Sequence, residues 1–153
     1  MSGDDFEDLH GHYLEDLAVG MTASYAKTIT ETDIVLFAGI SGDVNPVHIN
    51  HEFAAGTLFE GPIAHGMLTA SLISTVLGTR LPGPGAIYLK QSLSFRAPVK
   101  PRDTVVARVT VKDIDQERRS VRFDCRCTVR ETVVLEGEAL IRVDRRPESA
   151  STG

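Results

Sequence analysis

The sequence contains only two cysteines among its 153 residues, Cys125 and Cys127. They lie two positions apart in FDCRCTV, where an extended backbone directs both side chains to one face but holds them too far apart for an easy disulfide. Two thiolates are also too few for a structural zinc site. We therefore expect two buried, reduced thiols and a cytoplasmic protein.

A basic excess and a long apolar run are also missing. The formal net charge is −5, whereas a surface that follows phosphates needs positive charge, so nucleic acid is not expected as a partner. No apolar run approaches membrane-spanning length, and the acidic start MSGDDFEDLHGHYLEDL differs from a basic signal sequence, so no membrane is expected either. The length and the 42% of hydrophobic residues predict one domain with its own core.

Three helices are predicted in the first half of the chain. Thr30 is a candidate N-cap with Asp33 three places on, so a helix should run from there toward Gly42. Asn50 can cap a second, short helix. A third should run from His65 to about Leu77, where no charged residue occurs, and a helix that is apolar all round belongs in the middle of a core.

After residue 85 the hydrophobic period changes to two. The alternation occurs in four segments, AIYLKQSLSF, TVVARVTV, VRFDCRCTV and VVLEGEALIRV. Short charged turns join the later segments, and the pattern predicts an antiparallel meander with one wet face. The apolar face of this sheet must pack against another element, and the uncharged helix is the candidate. The sequence thus predicts an α+β architecture, an antiparallel sheet around one long helix.

The stretch SGDVNPVHINH, residues 41–51, carries an acid and an imidazole on either side of Asn45-Pro46. Pro46 makes the backbone irregular, so a turn must bring Asp43 and His48 together. One interpretation is that Asp43 and Asn45 only hydrogen-bond the turn backbone. A second is a metal site of Asp43, His48 and His51. A third is an Asp–His pair that holds a water and takes its proton near neutral pH.

The start of the predicted central helix offers a further candidate feature, in IAHGM. Free backbone N–H groups at a helix N-terminus can bind a developing oxyanion, and Gly66 would let a ligand approach the backbone closely. The alternative is that Gly66 relieves a crowded contact and that His65 is a satisfied, partly buried histidine.

A basic sector follows this helix. Between Glu60 and Asp103 there is no carboxylate, although five basic residues occur there: Arg80, Lys90, Arg96, Lys100 and Arg102. In an acidic protein such a sector could receive a polyanionic ligand, for example a thioester that carries a nucleotide. A solvated strand face with chance clustering is the alternative.

These residues resemble a known family. FAGISGDVNPVHINHEFA resembles the signature of the MaoC-like, R-specific (type 2) enoyl-CoA hydratases. The matching positions are Phe37, Ser41, Gly42, Asp43, Asn45, Pro46, Val47, His48 and Ala54. The likeness extends from about residue 13 to 143, and it departs at Arg102, where such proteins usually have glycine. It implies a hot-dog fold, a sheet wrapped on a long helix.

The resemblance also implies an activity. A hydro-lyase of this family adds water reversibly and on one face to a trans-2-enoyl-CoA, giving the (R)-3-hydroxyacyl-CoA. Asp43 and His48 would activate the water, Asn45 would hold the loop and the water, and the Gly66 N–H would stabilise the enolate oxygen. No metal or redox cofactor is implied, because the coenzyme A thioester is itself the electron-withdrawing group.

Further residues are expected to bind the substrate. Ser74 and Leu77, one turn apart on the central helix, should line a pocket for a short to medium acyl chain. The other candidates are His65, Met67, Arg80, Lys90 and Arg96. A homodimer is expected, because hot-dog sheets commonly pair across a two-fold axis and thereby protect their edges.

Two rival functions and the chain boundaries complete these expectations. One rival is another hot-dog thioester enzyme, either an (R)-3-hydroxyacyl-ACP dehydratase or a thioesterase, and the other is a non-catalytic acyl-CoA-binding subunit. Residues 13–143 form the predicted domain. Residues 1–12 are predicted to be a flexible acidic segment and residues 144–153 a disordered tail.

Overall fold

The computed structural model describes residues 3–148, in which four α-helices and six strands surround one core. Short 3-10 helices at Gly3–Leu9 and Leu14–Asp16 precede the first strand. The helices are α1 Glu31–Ser41, α2 Pro46–Ile49, α3 His51–Ala55 and α4 Gly66–Thr79. The strands are β1 Thr22–Thr28, β2 Ile87–Gln91, β3 Ser94–Phe95, β4 Thr104–Asp115, β5 Ser120–Val129 and β6 Thr132–Arg142.

Helix α1 begins where local chemistry dictates. The Thr30 hydroxyl accepts the Asp33 N–H at 3.1 Å, and the Asp33 carboxylate accepts the Thr30 N–H at 2.9 Å, which completes a capping box. Gly42 ends the helix in the left-handed region, with φ of 78°. The predicted helix is confirmed at both ends.

The six strands form one antiparallel sheet in the order β1-β4-β5-β6-β2, with β3 also paired to β6. Only β4, β5 and β6 form a meander, so the prediction that all four later segments do so is wrong. The tight turns before β5 and β6 force those neighbours together, whereas β2 and β3 are free to take the open edge of β6. Strand β1, which the sequence did not predict, occupies the open edge of β4.

Helix α4 packs on the inner face of the sheet, mainly against β4, β1 and β5. Its buried side contributes Leu72, Ile73, Val76 and Leu77 to the core. Its other side leaves Met67, Ser71, Ser74 and Gly78 exposed. The predicted place of this helix in the middle of a core is confirmed for one of its sides only, because the sheet of a single chain leaves the other side uncovered.

Strands β4 and β5 and the second half of β6 alternate as predicted, whereas β2 and β3 are almost wholly exposed in the single chain. Along β5 the buried residues, which include Phe123, Cys125 and Cys127, face α4. Both cysteines are free, and burial raises the pKa of Cys125 to about 11 and that of Cys127 to about 12. Among the helices within residues 3–148, none combines the length and hydropathy that crossing a membrane requires.

The predicted boundaries stay predictions, although some residues outside 13–143 have contacts. The His12 N–H donates to the Pro82 carbonyl, and the Arg146 guanidinium donates to the Asp16 carboxylate at 2.6 Å. Residues 149–153 of the predicted tail lie outside the described part of the chain.

Candidate active site

The turn between α1 and α2 orients Asp43. The Ser41 hydroxyl donates to the Phe37 carbonyl at 2.7 Å and accepts the Asp43 N–H at 3.1 Å. The Asn45 N–H in turn donates to Asp43 Oδ1 at 3.2 Å. Because the Ser41 hydroxyl holds the Asp43 N–H and the Asn45 N–H holds the Asp43 carboxylate, the carboxylate has a defined direction although the residue is exposed.

Asn45 starts a helix that the sequence did not predict. Its side-chain oxygen accepts the Val47 N–H at 3.1 Å, and Pro46 occupies the first helical position of α2. The sequence predicted only an irregular turn here, but proline is compatible with a helix at this position, where no N–H is needed. Asn45 thus orients His48 through α2 and is not among the residues that line the cavity described below.

His48 lies in α2 and is anchored from one side of its ring. Its Nδ1 is 2.7 Å from the Ile63 carbonyl oxygen, which can only accept, so Nδ1 carries the proton. In the neutral imidazole Nε2 then has the free lone pair, as a general base requires. Nitrogen or oxygen atoms of Asp43, His48 and His65 lie within 4.8 Å of one another, so the two titratable groups of the sequence motif do meet.

His65 joins this pair, and it is only 2% exposed. Its Nε2 is 2.9 Å from the Asp43 carbonyl oxygen, and its ring stacks on that of His48 with 3.8 Å between centroids and 27° between planes. Phe37 of α1 contacts the same ring, at 4.8 Å between centroids. His65 is also the N-cap residue of α4.

The first backbone N–H groups of α4 have no internal partner. Within residues 3–148 no acceptor contacts the N–H of Gly66 or Met67, and the His65 side chain does not cap the helix. The Phe95 ring lies against Gly66 so closely that a Cβ at residue 66 would stand 2.5 Å from Phe95 Cε1. Glycine is therefore required by a close approach, and the helix end carries donors and positive dipole.

These features share one cavity of about 530 Å3. Asp43, His48 and His65 form its polar end, and Gly66 and Met67 lie beside them. The remaining wall is mostly apolar and comes from Phe59, Ile63, Ala64, Thr69, Phe95, Arg96, Ala97, Pro98, Val99, Val134 and Leu135. A mainly apolar cavity with a few convergent polar groups is typical of a small-molecule site.

Not every predicted substrate contact lies here. Ser74 and Leu77 do not line the cavity: Leu77 is 1% exposed in the core, and Ser74 lies on the exposed side of α4, more than two turns from Gly66. The two residues face different surroundings rather than one pocket. Their role in selecting chain length stays a prediction.

The three basic residues predicted to bind the substrate lie in different places. Arg80 lies over the Tyr25 ring, 5.3 Å from its centroid, and donates to the Ser24 carbonyl. Lys90 is exposed on β2. Arg96 alone among the three lines the cavity, and its guanidinium donates to Glu136 Oε1 at 3.0 and 2.8 Å.

The sequence did not single out Thr69, Phe95 or Phe59 as cavity residues. Thr69 carried a usable signal, because it is a hydroxyl one turn after Gly66 in an otherwise apolar helix, and it is 3% exposed. Phe95 falls on an apolar position of the alternating segment AIYLKQSLSF, which the pattern predicts to face the core. Phe59 lies in the loop after α3, where no periodic pattern exists.

One of the three residues of the predicted metal site, His51, does not lie with the other two. His51 points to Glu31, with 3.6 Å between His51 Nε2 and Glu31 Oε1. With His65 in place of His51, ligand atoms of Asp43, His48 and His65 lie within 4.8 Å of one another, but His65 Nε2 is already hydrogen-bonded to the Asp43 carbonyl oxygen at 2.9 Å. The metal set predicted from the sequence, Asp43, His48 and His51, is therefore not brought together.

The chain matches the family model described as MaoC like domain over residues 17–133. It is 56% identical over 140 residues to an (R)-specific enoyl-CoA hydratase of Rhodospirillum rubrum, covering 92% of this chain and 97% of the relative. It is 53% identical over 137 residues to a 3-hydroxybutyryl-CoA dehydratase of Methylorubrum extorquens, covering 90% and 87%.

Solved structures agree in fold. An unliganded R-hydratase of Pseudomonas aeruginosa superposes with a TM-score of 0.83 at 40% identity, over 92% of this chain and 93% of that one. An (R)-hydratase of Aeromonas caviae, described as involved in PHA biosynthesis, gives 0.82 at 41% identity, over 84% and 98%. The predicted α+β hot-dog fold is confirmed.

Proposed function

The chain belongs to the MaoC-like family, and from that premise we propose that it is an (R)-specific enoyl-CoA hydratase. The reaction is the reversible addition of water to a trans-2-enoyl-CoA, giving an (R)-3-hydroxyacyl-CoA. One observation carries the proposal: Asp43, His48 and Gly66 line the same cavity. Relatives above 50% identity that are named as a hydratase and a dehydratase acting on CoA thioesters support it.

The site has the groups that the reaction needs. A water between the Asp43 carboxylate and His48 Nε2 can lose a proton to the pair while its oxygen bonds to Cβ of the substrate. The pair then delivers a proton to Cα on the same face. The two groups share these protons as a coupled pair. Positioned proton transfer of this kind contributes about 10²–10⁴ in rate.

The thioester oxygen gains negative charge when Cβ is attacked. The unpartnered N–H groups at the start of α4 belong to Gly66 and Met67, which line the cavity, and there they can stabilise that charge. Losing one such donor typically costs about 10²–10³ in rate. The thioester itself withdraws electrons, so we propose that the enzyme needs no metal or redox cofactor.

The test is hydration of crotonyl-CoA, followed by loss of the conjugated-enoyl absorbance and by the configuration of the product. Asp43→Asn and His48→Gln should each lower kcat by about 10³-fold or more while the chain stays folded. His51→Gln is the matched control, because His51 faces Glu31 outside the cavity, and it should keep the wild-type rate. Near-wild-type turnover in either site variant would remove the dyad from the mechanism.

The same assay separates the rivals. A dehydratase uses the same chemistry in reverse, so comparing crotonyl-CoA with crotonyl-ACP identifies the preferred carrier. A thioesterase would release free thiol, which a thiol-trapping dye detects. We propose a short to medium acyl chain, supported by the 3-hydroxybutyryl-CoA dehydratase relative. Faster hydration of long-chain enoyl-CoAs would contradict that choice.

We also propose a homodimer. Strand β2 is the last in the sheet order and presents an unpaired edge, with Ile87 and Leu89 about half exposed. Unprotected apolar edges invite pairing with another chain. Leu89→Lys should shift the mass measured by light scattering toward the monomer. Val19→Lys, at another exposed apolar position, should leave it unchanged. A dimer that survives Leu89→Lys places the interface elsewhere.

The cellular location stays a proposal. Two free, buried cysteines are compatible with a reducing compartment, and they support the cytoplasm.

A further inference from the structure

His65 touches every part of the site without belonging to the dyad. Its Nε2–H donates to the Asp43 carbonyl, its ring covers one face of the His48 ring, and its backbone precedes the helix whose first residues, Gly66 and Met67, line the cavity. These contacts join segments that are 17 and 22 residues apart in sequence.

The two hydrogen-bonding sides of the ring are not equivalent. Nε2 is anchored on a carbonyl that can only accept, so it carries the proton. Nδ1 is buried and has no hydrogen-bond partner within residues 3–148. A buried polar atom without a partner is costly, and such exceptions in a native structure require an explanation. The ring is therefore not chosen for stability alone, since an apolar ring of the same shape would avoid that cost.

We propose that His65 is a positioning residue for hydration: its Nε2–H fixes the backbone of Asp43, and its ring sets the plane of His48. This inference rests on the proposed function. The His48 ring is hydrogen-bonded to the Ile63 carbonyl and stacked on the His65 ring. Asp43 lies in a turn where its carbonyl bond to His65 is the one hydrogen bond to the central helix. Small displacements of either group matter, because misplacement by about 1 Å can cost 10²-fold in rate.

Two substitutions separate the hydrogen bond from the ring. His65→Gln places an amide N–H at about the distance of Nε2 but removes the ring. His65→Phe keeps the ring stacked between Phe37 and His48 but removes the N–H, and it also removes the unpartnered Nδ1. Removing the unpartnered Nδ1 offsets the loss of the hydrogen bond to Asp43, so the Phe variant should unfold near the wild-type temperature, and that result would exclude a general loss of structure as the cause of a rate change.

The measurement is kcat and KM for crotonyl-CoA in the wild type and both variants. We expect His65→Phe to lower kcat by about 10- to 100-fold with KM within about 3-fold, and His65→Gln to recover most of that loss. A rise in KM at constant kcat would make His65 a substrate contact and overturn the proposal. Equal losses in both variants, with lowered melting temperatures, would make it a packing residue and overturn it as well.

A second readout does not depend on activity. In full-length protein labelled with ¹⁵N-histidine, the resonances should report an Nε2–H tautomer for His65 and an Nδ1–H tautomer for His48. The His48 resonances should move in His65→Phe and stay close to the wild type in His65→Gln. If the wild type hydrates no enoyl thioester, the proposed function fails. Positioning is then decided by these spectra, and unmoved His48 resonances in the Phe variant refute it.

Discussion

Replacing Gly66 with alanine tests the start of the central helix most directly. Alanine keeps the backbone N–H, so the donor itself survives the substitution. The added methyl would stand 2.5 Å from Phe95 Cε1 and 2.8 Å from Cδ1, far inside ordinary contact distance. Phe95 lies in β3 and is 55% exposed, so its ring has room to swing away. The methyl or the displaced ring then occupies space in the cavity beside Asp43 and His48.

The expected magnitudes separate activity from stability. Alanine favours a helix over glycine by about 1 kcal/mol, whereas overpacking costs about 1–3 kcal/mol. Because the Phe95 ring can move, the lower end of that cost applies, and the free energy of unfolding should change by less than about 1 kcal/mol. The kcat/KM for crotonyl-CoA should fall about 10²-fold, since the thioester oxygen can no longer reach the N–H closely.

The assay compares three proteins. Gly39→Ala in α1 is the matched control, because a methyl there meets no atom within 4 Å, and it should stabilise the protein slightly without changing kcat/KM. Gly66→Ala combined with Phe95→Ala removes the ring that the methyl meets. If the double variant recovers activity, the displaced Phe95 ring caused the loss of kcat/KM in Gly66→Ala. If the loss persists, the methyl group of residue 66 caused it. Wild-type kcat/KM in Gly66→Ala would refute the close approach of substrate to this helix end.

Three further predictions concern the cap, the basic residues and the thiols. Partial burial acts to raise the pKa of Asp33, but the Thr30 hydrogen bonds and the Lys27 ammonium outweigh it and lower the pKa. The stabilisation by this carboxylate is therefore present above about pH 4 and lost as pH falls. The difference between the free energies of unfolding of wild type and Asp33→Asn, measured in urea, should become smaller below that pH. Thr30→Ala should lower the free energy of unfolding by about 1 kcal/mol. Arg96→Ala should raise KM for crotonyl-CoA, whereas Arg80→Ala should not, because only Arg96 lines the cavity; equal KM values would exclude the contact. At pH 8 a thiol reagent should modify Cys125 and Cys127 at least about 10-fold faster in urea than in the folded state, because burial raises both pKa values; equal rates would contradict that burial.

Much of the fold can be predicted from short stretches of sequence. The Thr30–Asp33 capping box, the alternation along β4, β5 and β6, and the uncharged run of α4 all depend on neighbours a few residues apart. Each was predicted, because helix ends and strand faces follow from local hydrogen bonding and from periods of 3.6 and 2. Strand β1 was missed because TASYAKT is short and mostly half-buried, so its alternation is weak.

Other features needed the tertiary structure. That β2 pairs with β6 rather than β4 depends on which sheet edge is open after β4, β5 and β6 have paired. The separation of Ser74 from Leu77 depends on the sheet covering one side of α4. No periodicity within either segment contains this information.

The candidate site divides in the same way. The sequence by itself determined that Asp43 and His48 lie on either side of a proline and that a glycine opens the central helix, because motif spacing is local. Only the tertiary structure decided that His65 bonds to Asp43 and stacks on His48, that Phe95 lies against Gly66, and that Arg96 rather than Arg80 faces the cavity. These contacts join residues that are distant in the chain. Packing of the whole fold selects which of them meet, and a single stretch of sequence contains no information about that packing.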